Sequence, residues 1–185
     1  MTRTYTSTEL KRLHRTWRRR TEGRVSLILD GVQNPFNVGS VLRSAAALGV
    51  DHIWLAGHVP TPSDTKVAKT ALGSQRFVPW SATDDPLDAI AEARRGGYRV
   101  LGVELAVGSV PLPEAAPARD VCLVVGHEDR GLSKDALVAC DQLVFIPQVG
   151  RIGSLNVATA TAVAIYEVRR WEWAPTVTAD EPPPA

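Results

Sequence analysis

Three polar, glycine-bearing segments hold the side chains best suited to chemistry. They are Gly31-Val-Gln-Asn-Pro-Phe-Asn37-Val-Gly39-Ser-Val-Leu-Arg43, Gly126-His-Glu128-Asp-Arg-Gly131-Leu-Ser, and Ile146-Pro-Gln-Val-Gly150-Arg-Ile-Gly153-Ser154-Leu155-Asn156. Arg43 offers a planar, permanently protonated donor able to bind a phosphate or hydroxyl bidentately. Glu128 offers an acceptor, and Asn37, Ser154 and Asn156 offer short groups that position rather than react. The glycines allow a ligand to approach the backbone, whose N–H and C=O groups can read a heterocycle edge. Simpler roles exist for each: a turn at Gly126, core packing at Ile146 and Leu155, a loop carboxylate at Glu128, helix caps at Ser154 and Asn156. No GxGxxG follows the first strand and no Walker A sequence is present, so the usual dinucleotide and P-loop sites are unsupported.

A second kind of chemistry sits at the N-terminus. Residues 1–24 carry eight Lys/Arg against Glu9 and Glu22, a local charge of +6, while the remaining chain carries −5. Lys11, Arg12, Arg15, Arg18 and Arg19 surround a Leu10, Leu13 and Trp17 stripe at helical spacing, and Thr6 with Glu9 forms a capping-box pair at the helix start. The plain reading is a solvated basic face docked by the stripe. The functional reading is an arm for a polyanion, favoured because solvated faces ordinarily mix both signs.

The elements that must position these groups alternate in type. Val25–Leu29, His52–Ala56, Phe77–Trp80, Arg99–Leu105, Val121–Val125 and Leu143–Ile146 read as strands. The spacing predicts helices over Val38–Leu48, Ser63–Leu72, Pro86–Arg95, Ser133–Ala139 and Ala158–Trp171, with Asp30–Phe36 as loop. Such alternation predicts a parallel sheet covered by helices, with ligands beyond the carboxyl ends of the strands. With 185 residues, 44% of them hydrophobic, one domain over 25–173 is expected, preceded by the basic extension 1–24 and followed by a disordered tail 174–185. No apolar run approaches the roughly 20 residues of a membrane span. Cys122 and Cys140 lack metal-ligand or disulfide spacing and read as reduced core fillers of a cytoplasmic protein, with no metal site expected.

Taken in order, the three segments resemble the signature blocks of the SpoU/TrmH family, within the SPOUT superfamily of S-adenosylmethionine-dependent RNA methyltransferases. The resemblance runs from about Val25 to Arg170, and its most specific part is Ile146-Pro, then glycine, then Ser154-Leu-Asn-Val before a helix of small residues. It implies an α/β fold, a parallel sheet flanked by helices with a C-terminal deep trefoil knot, threaded by the strand at Leu143–Ile146, its loop and the last helix. It implies that Leu105, Gly126, Ile146 and Leu155 hold S-adenosylmethionine. Arg43 would take the catalytic position beside a ribose 2′-hydroxyl, with Asn37 facing the same pocket, Glu128 orienting Arg43 or the substrate, and Ser154 and Asn156 positioning ribose or cofactor. Because guanidinium normally stays protonated, an orienting role for Arg43 is easier to derive than general-base chemistry. His127 and Gln148 depart from the common family residues and bear on pocket shape.

The expected function is 2′-O-methylation of structured RNA, more readily tRNA, such as a D-loop guanosine, than rRNA, since only about 24 residues precede the core. A SPOUT-like RNA-binding protein with little or no methyl transfer is the alternative. A homodimer is also implied. Its interface would use the last helix, where Ala158, Ala162 and Ala164 precede Tyr166, Trp171 and Trp173.

Overall fold

A computed structural model describes residues 3–173. Seven parallel strands form the sheet: β1 (Val25–Asp30), β2 (His52–Ala56), β3 (Trp80–Thr83), β4 (Arg99–Val103), β5 (Val110–Pro111), β6 (Val121–Val125) and β7 (Gln142–Phe145). Their spatial order is β3-β2-β1-β6-β4-β7-β5. Six α-helices accompany them, α1 (Ser7–Arg19) before the first strand, α2 (Pro35–Ala47), α3 (Thr65–Ala71), α4 (Pro86–Arg95) and α5 (Lys134–Ala139) between strands, and α6 (Val157–Trp173) after β7.

β1 and β6 are buried along their whole length, which is why both are continuous apolar runs instead of alternating ones. Leu27 and Leu29 of β1 face a core shared with Val41 and Leu42 of α2 and Ile165 of α6. Ile28 faces the opposite layer, with Ile90 of α4 and Ala136 of α5. The sheet is therefore covered on both sides, as the alternation predicted.

Several boundaries differ from the sequence reading, for local reasons. α2 begins at Pro35 and not at Val38, because the Asn34 side chain caps it by accepting from Phe36 N at 2.9 Å and Pro35 takes the first helical position. The strand expected at Phe77–Trp80 lies instead at Trp80–Thr83. A 3-10 turn over Ser74–Arg76 takes up the preceding residues, and Pro79 has no N–H to enter the ladder. β4 stops at Val103 and not at Leu105, and β7 runs Gln142–Phe145, one residue earlier than expected. α3 is trimmed to Thr65–Ala71, and α5 begins after its Ser133 cap. α6 extends through Trp173. The two-residue β5 was not foreseen. The expected tail from Ala174 onward lies outside the described residues.

β7 is the last strand among the described residues yet inserts between β4 and β5. β7 then leads through the third polar loop into α6, which returns to pack on α2 and β6.

The first and last helices meet through aromatic rings. Trp17 and Trp173 lie with centroids 5.2 Å apart, Tyr166 meets Trp173 at 5.9 Å, and Trp173 Nε1 donates to Thr21 Oγ1 at 2.9 Å. Trp171 packs against the main core. These two tryptophans thus already have packing partners within the chain. Just beyond, Arg169 is 2% exposed and binds three backbone carbonyls: Leu48 O at 3.0 Å, Gly23 O at 2.6 Å and Gly49 O. Glu172 accepts from the backbone N–H groups of Glu22 and Gly23 at 2.7 and 3.0 Å. Two side chains of α6 therefore clamp the start of the sheet domain.

Candidate active site

The loop after β6 is shaped by close approach. A Cβ on Gly126 would collide with the Gly131 carbonyl and Leu132 N, so only glycine lets the loop fold back on itself. The fold-back is fixed by His127 N to Gly131 O and Gly131 N to His127 O, each 2.9 Å, and by Leu132 N donating to Glu104 at 3.0 Å. His127 Nδ1 accepts from Asp129 N at 3.0 Å, so this departure from the common family residue has a loop-stabilising job.

That fold-back opens a cavity of about 350 Å³ at the carboxyl ends of β4, β6 and β7. Leu105, Gly126, Ile146 and Leu155 all line it, together with Gln148 and Ser154. The volume falls within the roughly 300–1,000 Å³ of small-molecule sites. The wall mixes apolar side chains and strand-end backbone with Glu104, Glu128, Asp129 and Arg130, and its excess of carboxylates disfavours a polyanion.

Glu128 ties this loop to the other two segments. Its carboxylate accepts from Asn37 Nδ2 at 2.9 Å, Asn34 N at 3.0 Å and Gln33 N at 3.2 Å. Asn37 Oδ1 in turn accepts from Asn156 Nδ2 at 2.9 Å. Asn156 Oδ1 completes the chain by accepting from Ala158 N and Thr159 N, capping α6. The cap and the site are thus one structure, and both readings of Asn156 hold. Burial pushes the Glu128 pKa up, but the bonds from Asn37 and from the backbone of the first loop outweigh it and hold the carboxyl below its usual range.

A pH dependence follows from that sign. The folded carboxyl is depressed, so its contribution to stability is complete above its unfolded pKa and is lost as pH falls through the folded value. Glu128→Gln should therefore flatten the acid limb of stability below about pH 4.5. Urea midpoints for both proteins between pH 3 and 6 check this. Parallel acid limbs would mean that the carboxylate bonds contribute nothing.

Arg43 is placed differently. It is exposed and has no hydrogen bond or ion pair among the described residues, and it does not line the cavity. Six residues at 100° each put it about 120° around α2 from Asn37, so within one chain the two do not share a face. Glu128 does not orient Arg43; it orients Asn37. Ser154 lies on the cavity wall without a hydrogen bond among the described residues. Sequence reasoning missed Glu104, which both lines the cavity and holds Leu132 N. Its signal was weak, a single carboxylate at a strand end.

α1 projects from the body. No residue of it is buried, and Leu10 and Trp17 are 42% and 39% exposed. Its start carries the full capping box, and Glu9 is held at about 2 by Arg3 and the Thr6 backbone and hydroxyl. The helix is therefore an arm attached at its Trp17 end. Cys122 is fully buried and Cys140 mostly so; burial raises both thiols, Cys140 to about 12. Both act as core fillers. No helix among the described residues is long and apolar enough to cross a membrane.

Comparison with known proteins agrees with this geometry. The profile of the SpoU rRNA Methylase family matches residues 24–166. The tRNA (guanosine(18)-2'-O)-methyltransferase of Escherichia coli (strain K12) is 30% identical over 149 residues, covering 79% of this chain and 63% of that protein. The AdoMet-bound rRNA methyltransferase of Sinorhizobium meliloti is 33% identical with TM-score 0.76, covering 82% of this chain and 57% of that one. A chain solved for structural insights into the 2-OH methylation of C/U34 on tRNA is 33% identical with TM-score 0.69, covering 80% and 96%. The chain spans 55–57% of the length of several curated relatives it matches.

Proposed function

The chain belongs to the SpoU rRNA methylase family of the SPOUT superfamily, and from that premise we propose that it transfers a methyl group from S-adenosylmethionine to a ribose 2′-hydroxyl of RNA. One observation carries the reading. Leu105, Gly126, Ile146 and Leu155, on three separate segments, line one cavity beside the Glu128–Asn37–Asn156 hydrogen-bond chain.

The residues present fit the cofactor. Gly126 leaves room for close approach, strand-end backbone can read an adenine edge, and Leu105, Ile146 and Leu155 supply apolar walls. When bound, S-adenosylmethionine supplies an activated methyl group on a positive sulfur. The protein's part is alignment and exclusion of water, which accelerates such a transfer without any protein nucleophile. Glu128 and Asn37 fix the height of the substrate-side loop relative to the cavity. Arg43 orients a phosphate and the attacking hydroxyl by bidentate donation.

The RNA is a transfer RNA in this reading, with a D-loop guanosine as the candidate nucleotide. Two of the relatives above carry tRNA in their descriptions, one of them at guanosine 18. The protein acts in the cytoplasm as a homodimer. Exposed Phe36 of α2 and exposed Val163 and Tyr166 of α6 supply the apolar face for pairing. Calorimetry with S-adenosylmethionine, followed by mass spectrometry of nucleosides from tRNA and rRNA of a deletion strain, tests the reading. A protein that does not bind the donor would be an RNA-binding relative instead.

The arm supplies electrostatic grip. Neutralising Arg15, Arg18 and Arg19 should weaken tRNA binding and reduce the salt slope by roughly 0.7–0.9 per lost phosphate contact. Filter binding across a salt series reads it. An unchanged slope would return α1 to a solvated face.

A further inference from the structure

The segment between α3 and β3 carries features that neither the cavity nor the arm uses. Leu72 and Phe77 are 70% and 73% exposed, although both are large and apolar. Leu72 ends α3 at φ +52°, in the left-handed region that a branched residue rarely adopts, and Gly73 follows at +86°. Gln75 Oε1, in the 3-10 turn, is buried without a partner among the described residues. Backbone strain and an unsatisfied acceptor thus concentrate in four residues. Such costs gather where a binding surface is being held in shape.

Charge is concentrated there too. Residues 65–83 contain Lys66, Lys69 and Arg76 and no acidic side chain, with Asp64 capping α3 just before them and Asp84 and Asp85 just after, and α2 adds Arg43 without an acidic side chain of its own. All four cations are exposed. The Arg76 guanidinium lies over the Phe77 ring, 6.0 Å from its centroid, held by Nε donating to Gly73 O at 3.3 Å. α3 is also pressed against α2: a Cβ on Gly39 would stand 2.6 Å from Thr70 Cβ and 2.7 Å from Val67 O. Arg43 is one helical turn beyond Gly39 on that same face, so the strained turn flanks the candidate catalytic arginine.

We propose that this turn is a second RNA contact, a platform on which an unpaired nucleobase stacks beside the nucleotide presented to Arg43. Phe77 supplies the stacking ring, Arg76 the cation above it, Leu72 an apolar edge, and Lys66 and Lys69 the phosphate contacts. The inference rests on the RNA methyltransferase reading and adds the chemistry of recognition: an aromatic and basic surface selects unstacked bases over duplex. A strained presentation is what keeps Leu72 and Phe77 out of the core, where their apolar surface would otherwise be driven.

The test uses the full chain and two fluorescein-labelled probes, a mixed-sequence 12-nucleotide single strand and a duplex of the same length. Phe77→Ala should weaken single-strand binding about 10-fold, as loss of one stacked base does, and change duplex binding by less than about 2-fold. Phe77→Tyr should restore it. Lys69→Ala should lower the single-strand salt slope by about 0.7. Leu72→Gly, which removes the side chain and relieves the φ, should weaken binding while leaving the melting temperature unchanged or raised. Equal single-strand affinity for wild type and Phe77→Ala overturns the platform. So does a fall in light-scattering mass for Phe77→Ala, which would assign the patch to a second copy. A wild-type chain that binds S-adenosylmethionine and methylates tRNA keeps the functional reading intact in either case. A wild type that binds neither donor nor RNA overturns both.

Discussion

Replacing Arg43 with alanine is expected to lower methyl transfer about 1,000-fold while S-adenosylmethionine affinity stays within about 2-fold, the span that positioned proton-handling or orienting groups contribute. The separation of the two effects follows from geometry. Arg43 is outside the set of residues lining the cavity proposed for the donor, and its guanidinium is exposed and uncommitted among the described residues. Arg43→Lys keeps the charge but loses the planar fork, and should remain strongly impaired if bidentate orientation is the role. Transfer of a tritiated methyl group to tRNA, paired with calorimetry on the same preparations, measures both quantities. Full turnover by Arg43→Ala would mean that the reacting hydroxyl is oriented elsewhere.

Arg169→Ala is expected to cost about 3–5 kcal/mol of stability, the range for removing one member of a buried charged network. For a chain of this size that is a fall of roughly 10 °C in melting temperature. The carbonyl of buried Gly23 would lose a donor away from water, those of half-buried Leu48 and exposed Gly49 would lose theirs nearer the surface, and Glu172 would lose its neighbour at 3.4 Å. Arg169→Met preserves most of the side-chain volume without the donors. It should be nearly as damaging, because hydrogen bonds and not packing are what Arg169 supplies. Thermal unfolding followed by circular dichroism decides between them. A methionine variant as stable as wild type would make this a packing residue.

The sheet was legible because its strands are buried on both faces. Val25–Leu29 and Val121–Val125 could only be central strands, and Pro86–Arg95 carried both a helix-starting proline and a terminating glycine pair. β3 was misplaced because an apolar Phe77-Val78 pair imitates a strand when nothing in the sequence announces a 3-10 turn before it. β5 is too short to have a period. At the site, the ordered motifs named four residues, Leu105, Gly126, Ile146 and Leu155, that line one cavity. The sequence could not show that Glu128 would choose Asn37 over Arg43, since that depends on the angular position of two residues on a helix whose start was read three residues late. The packing partner of Trp173 was hidden for a related reason. Trp173 looked surplus because its partner, Trp17, lies across nearly the whole chain.

The insertion of β7 between β4 and β5 has a consequence for how the protein is made. During synthesis the chain delivers β4 and then β6, which can pair at once, but the other edge of β4 stays open until residues 142–145 leave the ribosome. β1 likewise waits from residue 25 until Val121 for its second neighbour. Contacts between such distant residues raise contact order and slow folding, and an open strand edge is a template for pairing with other chains. A nascent chain stalled before Gln142 would therefore expose a half-built apolar sheet, while the last four or so turns of helix that follow β7 seal one face of it in a single late step. The stretch between Val125 and Gln142 is thus the interval in which the growing chain most needs protection from pairing with others.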